Sequence, residues 1–219
     1  MSKTAIILGA TGLTGNILLK KLIEDKEYSK IKLFSRNSVS IKSEKIEEFI
    51  VDLLSLEKES KDFIADEVFC CIGTTVAKTK DKELYKAIDY GIPVTAAKIA
   101  KENGIATFIV MSSLGADAKS SVFYNRTKGE MERDILCKKI KHTYILRPSL
   151  IGGDRKEFRL AEKLGKGIMQ ILNPLLTGSL KKFRMIHPEK IATCMQVLAK
   201  TKPGVNILSS DEIVDKSNN

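Results

Sequence analysis

Tyr124 and Lys128 stand four residues apart, so a helix running through them presents both on one face. That pair suits proton transfer. A phenol with a pKa near 10 is a poor base at neutral pH, but a neighbouring ammonium favours the phenolate and moves the group toward working pH. Just upstream, Ser112-Ser113 offers a hydroxyl able to orient a substrate oxygen. The spacing alone is common, and Tyr28 and Lys32 repeat it. Position separates the two pairs. Tyr28 falls between a helical and a strand pattern, away from the carboxyl ends of the strands, whereas Tyr124 opens a helix after a strand ending in Met111-Ser112-Ser113. A surface tyrosine and lysine packed for stability is the plainer alternative.

A second group of residues suits the binding of a diphosphate. Gly9-Ala10-Thr11-Gly12-Leu13-Thr14-Gly15 directly follows the first apolar run and opens an amphipathic helix. In that setting Gly9 permits a tight turn, Gly12 lets backbone approach a pyrophosphate, and Gly15 allows close helix–sheet packing. The helix N-terminus then turns free N–H groups and a partial positive charge toward the anion. Gly9, Thr11, Gly12, Leu13 and Gly15 are therefore candidates for binding a dinucleotide. About 20 residues further on, an NAD site carries an acid for the ribose 2′-hydroxyl. Here Leu33-Phe34-Ser35-Arg36-Asn37 has none, and Arg36 suits a 2′-phosphate, so NADP(H) is expected over NAD(H). The alternative for Arg36 is an ordinary loop residue. Asp52 either accepts from the adenine amino group or caps the following turn.

These residues need elements to position them. Apolar runs at 4–8, 31–35, 46–51, 67–72, 107–111 and 143–146 read as buried strands. Helical patterns lie between them at 14–25, 55–62, 82–103 and 123–139. The third should bend near Pro93 and end at Asn103-Gly104. Such alternation predicts an α/β fold, a doubly wound parallel sheet of Rossmann type. After Arg147-Pro148 the rhythm changes. Residues 152–186 are glycine-punctuated and basic, followed by a helix at 188–200, a weak strand at 205–208 and a short polar tail. The expectation is a single NAD(P)-binding domain, residues 1–219, in which about 150–200 form a small substrate-side lobe.

Composition excludes other classes. The 219 residues are 43% hydrophobic and 29% charged, with mean hydropathy −0.09, which rules out disorder as the main state. No apolar run approaches the roughly 18 residues of a membrane span. Net charge is +10, with +1 in residues 1–110 and +9 in 111–219. Only 7 of the 37 basic residues are Arg, and no nucleic-acid motif accompanies them, so solvated Lys is the reading and nucleic acid is not expected. Arg155, Lys156, Arg159, Lys163 and Lys166 form either a solvated helix face or a phosphate or partner patch. Cys70, Cys71, Cys137 and Cys194 lack metal spacing, and with only His142 and His187 beside them no metal site is expected. Ala5 to Leu8 is too short and too early for a secretory signal, so a cytoplasmic monomer or homodimer is expected.

Taken together, the chain resembles the short-chain dehydrogenase/reductase superfamily, in its atypical branch around the Tat-interacting oxidoreductase-like proteins. The matching segments are 9–15, Cys70-Cys71-Ile72-Gly73-Thr74-Thr75, Ser112-Ser113-Leu114-Gly115-Ala116-Asp117, 124–132 and Arg147-Pro148. The resemblance implies a Rossmann-type fold binding NADP(H), with Ser113, Tyr124 and Lys128 in the reductase roles and Ser112 as the other possible serine. It also implies that Ile72, Gly73 and Thr74 line the cofactor, and that Pro148-Ser149-Leu150 passes the nicotinamide. The expected activity is hydride transfer to or from a small carbonyl or alcohol. The alternatives are an NADP(H)-binding redox sensor or regulatory scaffold, and a sugar-nucleotide epimerase, which the short C-terminal portion disfavours.

Overall fold

The computed structural model describes residues 2–152 and 177–218. Its first strand, β1 (Lys3–Leu8), is the centre of the fold. Ala5 and Ile7 enter one hydrophobic cluster and Ile6 and Leu8 the other, so the strand is buried on both faces. That is why its sequence is an unbroken apolar run rather than an alternation. Around it lie β2 (Tyr28–Ser35), β3 (Ile46–Ile50), β4 (Glu67–Cys70), β5 (Thr107–Met111), β6 (His142–Arg147) and β7 (Ile207–Ser209). All pair in parallel, in the order β3-β2-β1-β4-β5-β6-β7. The order reverses between β1 and β4, which opens a crevice at the carboxyl ends of the strands.

Helices cover both faces. On one, Leu18, Leu19 and Leu22 of α1 (Leu13–Glu24) share a cluster with Ala5 and Ile7. On the other, Ala96, Ala97 and Ala100 of α3 (Ile92–Glu102) meet Met131 and Ile135 of α4 (Phe123–Leu136). The helix expected at 82–103 is continuous but irregular. α2 (Lys82–Lys86) passes into a π turn, Ala87–Gly91, and then into α3. The defect lies just before Pro93, which has no N–H to give the carbonyl of Asp89 four residues back. Instead the Ile92 N–H donates to the carbonyl of Ala87. Gly104, at φ +71°, closes the segment as expected.

Two expectations are corrected. The segment at 55–62 is a 3₁₀ helix, Leu53–Glu59, capped by Asp52, whose side chain accepts from the Leu54 N–H at 3.0 Å. The polar tail is the helix α6 (Ser210–Lys216), at whose start the Ser209 N–H donates to Glu212 at 2.7 Å. The helix α5 (Pro188–Thr201) joins the layer beside α1, with Ile191, Met195 and Leu198 in the core cluster. The basic run 155–166 lies outside the described residues.

Candidate functional site

The crevice at the switch point is a cleft of about 1090 Å³. One wall is the turn between β1 and α1. Gly9 adopts φ +87°, and its carbonyl accepts the Gly12 N–H at 3.0 Å. A Cβ on Gly15 would lie 2.2 Å from that same carbonyl oxygen, so no side chain fits. α1 thus begins directly against the turn. Its first turn has neither a side-chain cap nor an acidic residue. Thr11, Gly12, Leu13 and Thr14 border the cleft, while Gly9 and Gly15 shape the turn from behind. Such a cradle fits a diphosphate, which needs uncapped N–H groups and no competing carboxylate.

The residues expected to do chemistry meet in the same cleft. Ser113, Tyr124 and Lys128 all border it, as do Ile72, Gly73, Thr74 and Pro148. The two serines differ in their bonding. Ser112 donates to the Glu132 carboxylate, whereas the Ser113 hydroxyl is buried with no hydrogen-bond partner among the described residues. A buried unpaired hydroxyl is costly unless something else satisfies it. This hydroxyl and the glycine cradle border the same cleft.

Two residues of the site were not anticipated from the sequence. Asp89, in the π turn, is 1% exposed and lies 3.0 Å from Lys128 Nζ, and it accepts the Thr74 N–H at 2.6 Å. The Tyr85 hydroxyl points to the same carboxylate at 3.5 Å, and its ring meets Tyr124 edge-on at 6.5 Å. Burial, and then the Asp89 charge, push the Tyr85 phenol well above its usual range, so it stays neutral. Glu132 is the second. It lies one turn beyond Lys128 on α4 and receives the Arg147 guanidinium, with Nε at 2.9 Å. The only local signal for Glu132 is its place in the stripe Tyr124, Lys128, Glu132, spaced i, i+4, i+8.

Cysteine chemistry is disfavoured at the cleft. Cys71 borders it, but burial raises its thiol far above neutrality, and burial pushes the Cys70 thiol up to about 11. Among the described residues no cluster of His, Cys, Asp and Glu could hold a metal ion. Arg36 and Asp52 are not among the residues bordering the cleft. Arg36 is exposed just after β2, and Asp52 spends its side chain on the cap.

The all-parallel sheet, its switch-point cleft and the glycine turn define a Rossmann-type NAD(P)-binding protein. The chain belongs to the NAD(P)H-binding family, whose model matches residues 9–165. Within it, the chain falls in the atypical short-chain dehydrogenase/reductase branch that includes HTATIP2. The HTATIP2 protein of Rattus norvegicus is 32% identical over 169 residues, 75% of this chain and 69% of that one. The mitochondrial protein FMP52-1 of Scheffersomyces stipitis is 38% identical over 176 residues, 78% of this chain and 77% of the relative. FMP52 of Candida albicans, also named mitochondrial, is 34% identical over 228 residues and 98% of each chain. Among solved structures, a short-chain dehydrogenase/reductase superfamily protein from Agrobacterium tumefaciens with bound NAD superposes with TM-score 0.70 at 13% identity. It covers 95% of this chain and 78% of that one. MoeE5 in complex with UDP-glucose and NAD gives TM-score 0.69 at 15% identity, covering 98% and 80%. These structures share the fold.

The relatives also correct one expectation. A cytoplasmic location was expected because no targeting signal was read, but the FMP52 relatives are named mitochondrial. Among the described residues no helix is long and apolar enough to cross a membrane.

Proposed function

We propose that the protein is an NADP(H)-dependent oxidoreductase acting on a small carbonyl or alcohol, with Tyr124 as the acid/base. The observation that carries this reading is the meeting of Ser113, Tyr124 and Lys128 in one cleft, with the Ser113 hydroxyl buried and without a partner among the described residues. In this reading the first-turn N–H groups beyond Gly12 hold the diphosphate and Ile72, Gly73 and Thr74 line the cofactor. Pro148 passes the nicotinamide. Arg36 meets the 2′-phosphate, and Asp52 serves the adenine beside its capping role. Bound there, the nicotinamide supplies the hydride donor or acceptor. Tyr124 gives its proton to the carbonyl oxygen as that oxygen gains charge, or takes the hydroxyl proton in the reverse direction. Ser113 donates a hydrogen bond to the same oxygen and holds it in place. Lys128 keeps N–H donors for the ribose hydroxyls.

The relatives' names support a mitochondrial location, which organelle fractionation checks. The activity is tested by titrating NADPH and NADH, then following oxidation of the preferred one against a panel of small aldehydes and ketones. NADPH should bind more tightly and be consumed with at least one carbonyl. Tight binding without turnover across the panel would favour the sensor reading, and binding of neither nucleotide would contradict both.

A further inference from the structure

Asp89 does more than fill a helix defect. The π turn carries its carboxylate to the wall of the cleft, where one oxygen takes the Thr74 N–H and the other faces Lys128 Nζ. The side chains of Asp89 and Lys128 are 1% and 4% exposed. The two opposite charges lie buried together, each offsetting the other. The Lys128 ammonium has three donors, and Asp89 takes one. Among the described residues bordering the cleft, the other cations are Lys78 and Lys182, and Asp89 is the one acid.

The charge of a nicotinamide depends on its redox state: the oxidised ring is cationic and the reduced ring neutral. An uncompensated ammonium beside it would repel the oxidised form selectively. We infer that Asp89 is a positioning residue that, by balancing Lys128, sets the relative affinity of the site for oxidised and reduced cofactor. This rests on the reading that the cleft holds NADP(H) with its nicotinamide beside Lys128. It goes further in assigning the oxidised-to-reduced preference to one buried carboxylate that itself transfers no proton.

The test needs no substrate. NADPH binding is read from nucleotide fluorescence, which is clean because the chain has no Trp, and NADP⁺ is read by displacement. The quantity is the ratio of the two dissociation constants, NADP⁺ over NADPH. Asp89→Asn keeps an oxygen for the Thr74 N–H but removes the charge, and should raise the ratio by roughly tenfold, the scale of one unbalanced nearby charge in a protein. Lys128→Met leaves the carboxylate and should lower the ratio. The double variant is neutral and should return it to within about twofold of the wild type. A merely structural role would weaken both nucleotides together. An unchanged ratio in the single variants, or shifts in the same direction, overturns the inference. If Asp89→Asn does not fold, the Lys128→Met and double variants carry the same test. Wild-type protein that binds neither nucleotide overturns the reading of the cleft as well, whereas binding with an unmoved ratio overturns this inference alone.

Discussion

Ser112 donates a hydrogen bond to Glu132, both buried, and this bond gives two adjacent serines different surroundings. Glu132 is held in turn by Arg147, so the ends of β5 and β6 are tied to α4 through one carboxylate. In the proposed function, with Ser112 engaged, Ser113 keeps its hydroxyl for the substrate oxygen. Ser113→Ala should lower kcat/KM by about 10²–10³-fold, the usual loss for one oxygen-stabilising donor. Ser112→Ala should instead cost about 1–2 kcal/mol of stability, because Glu132 loses one buried donor and keeps Arg147. Steady-state kinetics and urea unfolding on both variants check this. Activity lost equally in Ser112→Ala would reverse the assignment.

The loop carrying Ser113 is held against α4 at Gly129. A Cβ there would stand 2.1 Å from Ala118 N and 2.2 Å from the Asp117 carbonyl carbon. Both are backbone atoms, so relief requires moving the loop or the helix. Gly129→Ala should therefore cost about 3 kcal/mol or more, at or above the upper end for overpacking. Among the described residues nothing stands within 4 Å of a Cβ built on Gly204, and Gly204→Ala should change stability by about 0.5 kcal/mol at most. Thermal unfolding of the two compares them directly.

In the proposed function, cofactor choice turns on Arg36. It is exposed and follows β2 at the carboxyl end of the sheet, with no acid at the positions flanking it. Arg36→Ala should weaken NADPH by about tenfold or more, the scale of charge-assisted bonds, and leave NADH nearly unchanged. Paired titrations with the two nucleotides measure it. An equal loss for both would assign Arg36 to folding or to the shared part of the dinucleotide.

Much of this arrangement was legible from local pattern. The doubly buried strands announce themselves as apolar runs, and the glycine turn and the Tyr124–Lys128 spacing each lie within a few residues. Asp89 and Glu132 were not legible, because what they do depends on partners far along the chain. Thr74 is 15 residues from Asp89, and Lys128 is 39 away. Pro93 marks the helix defect, but not that the displaced turn carries a carboxylate into a cleft. The helix at 210–216 was signalled by Ser209-Ser210-Asp211-Glu212, a capping pattern. Little apolar sequence follows it beyond Ile213 and Val214, which made it read as tail.

At the opposite end of the sheet, stability should depend on acid pH. Lys200 bridges Asp25 at 2.6 Å and Glu27 at 3.1 Å, and Lys3 reaches Glu27 at 3.2 Å. Burial raises the Asp25 carboxyl, but the Lys200 hydrogen bond and its other partners leave it below the usual range. Glu27 is lowered by Lys200 first and then Lys3. Groups depressed on folding stabilise the native state above their unfolded pKa, and that contribution fades as pH falls through the folded values. Melting temperature should hold near neutrality and decline below about pH 4. Lys200→Ala should flatten that decline, modestly, since Glu27 is half-exposed. An unchanged acid profile in the variant would remove these pairs from the account.

In the proposed function, Tyr124 moves the proton in a cleft that binds its cofactor without it. Tyr124→Phe removes one hydroxyl and keeps the ring that meets Tyr85. Measured side by side, its NADPH dissociation constant should stay within about twofold of the wild type while carbonyl-dependent turnover falls by about 10²–10⁴-fold. Turnover retained in the phenylalanine variant would contradict the claim.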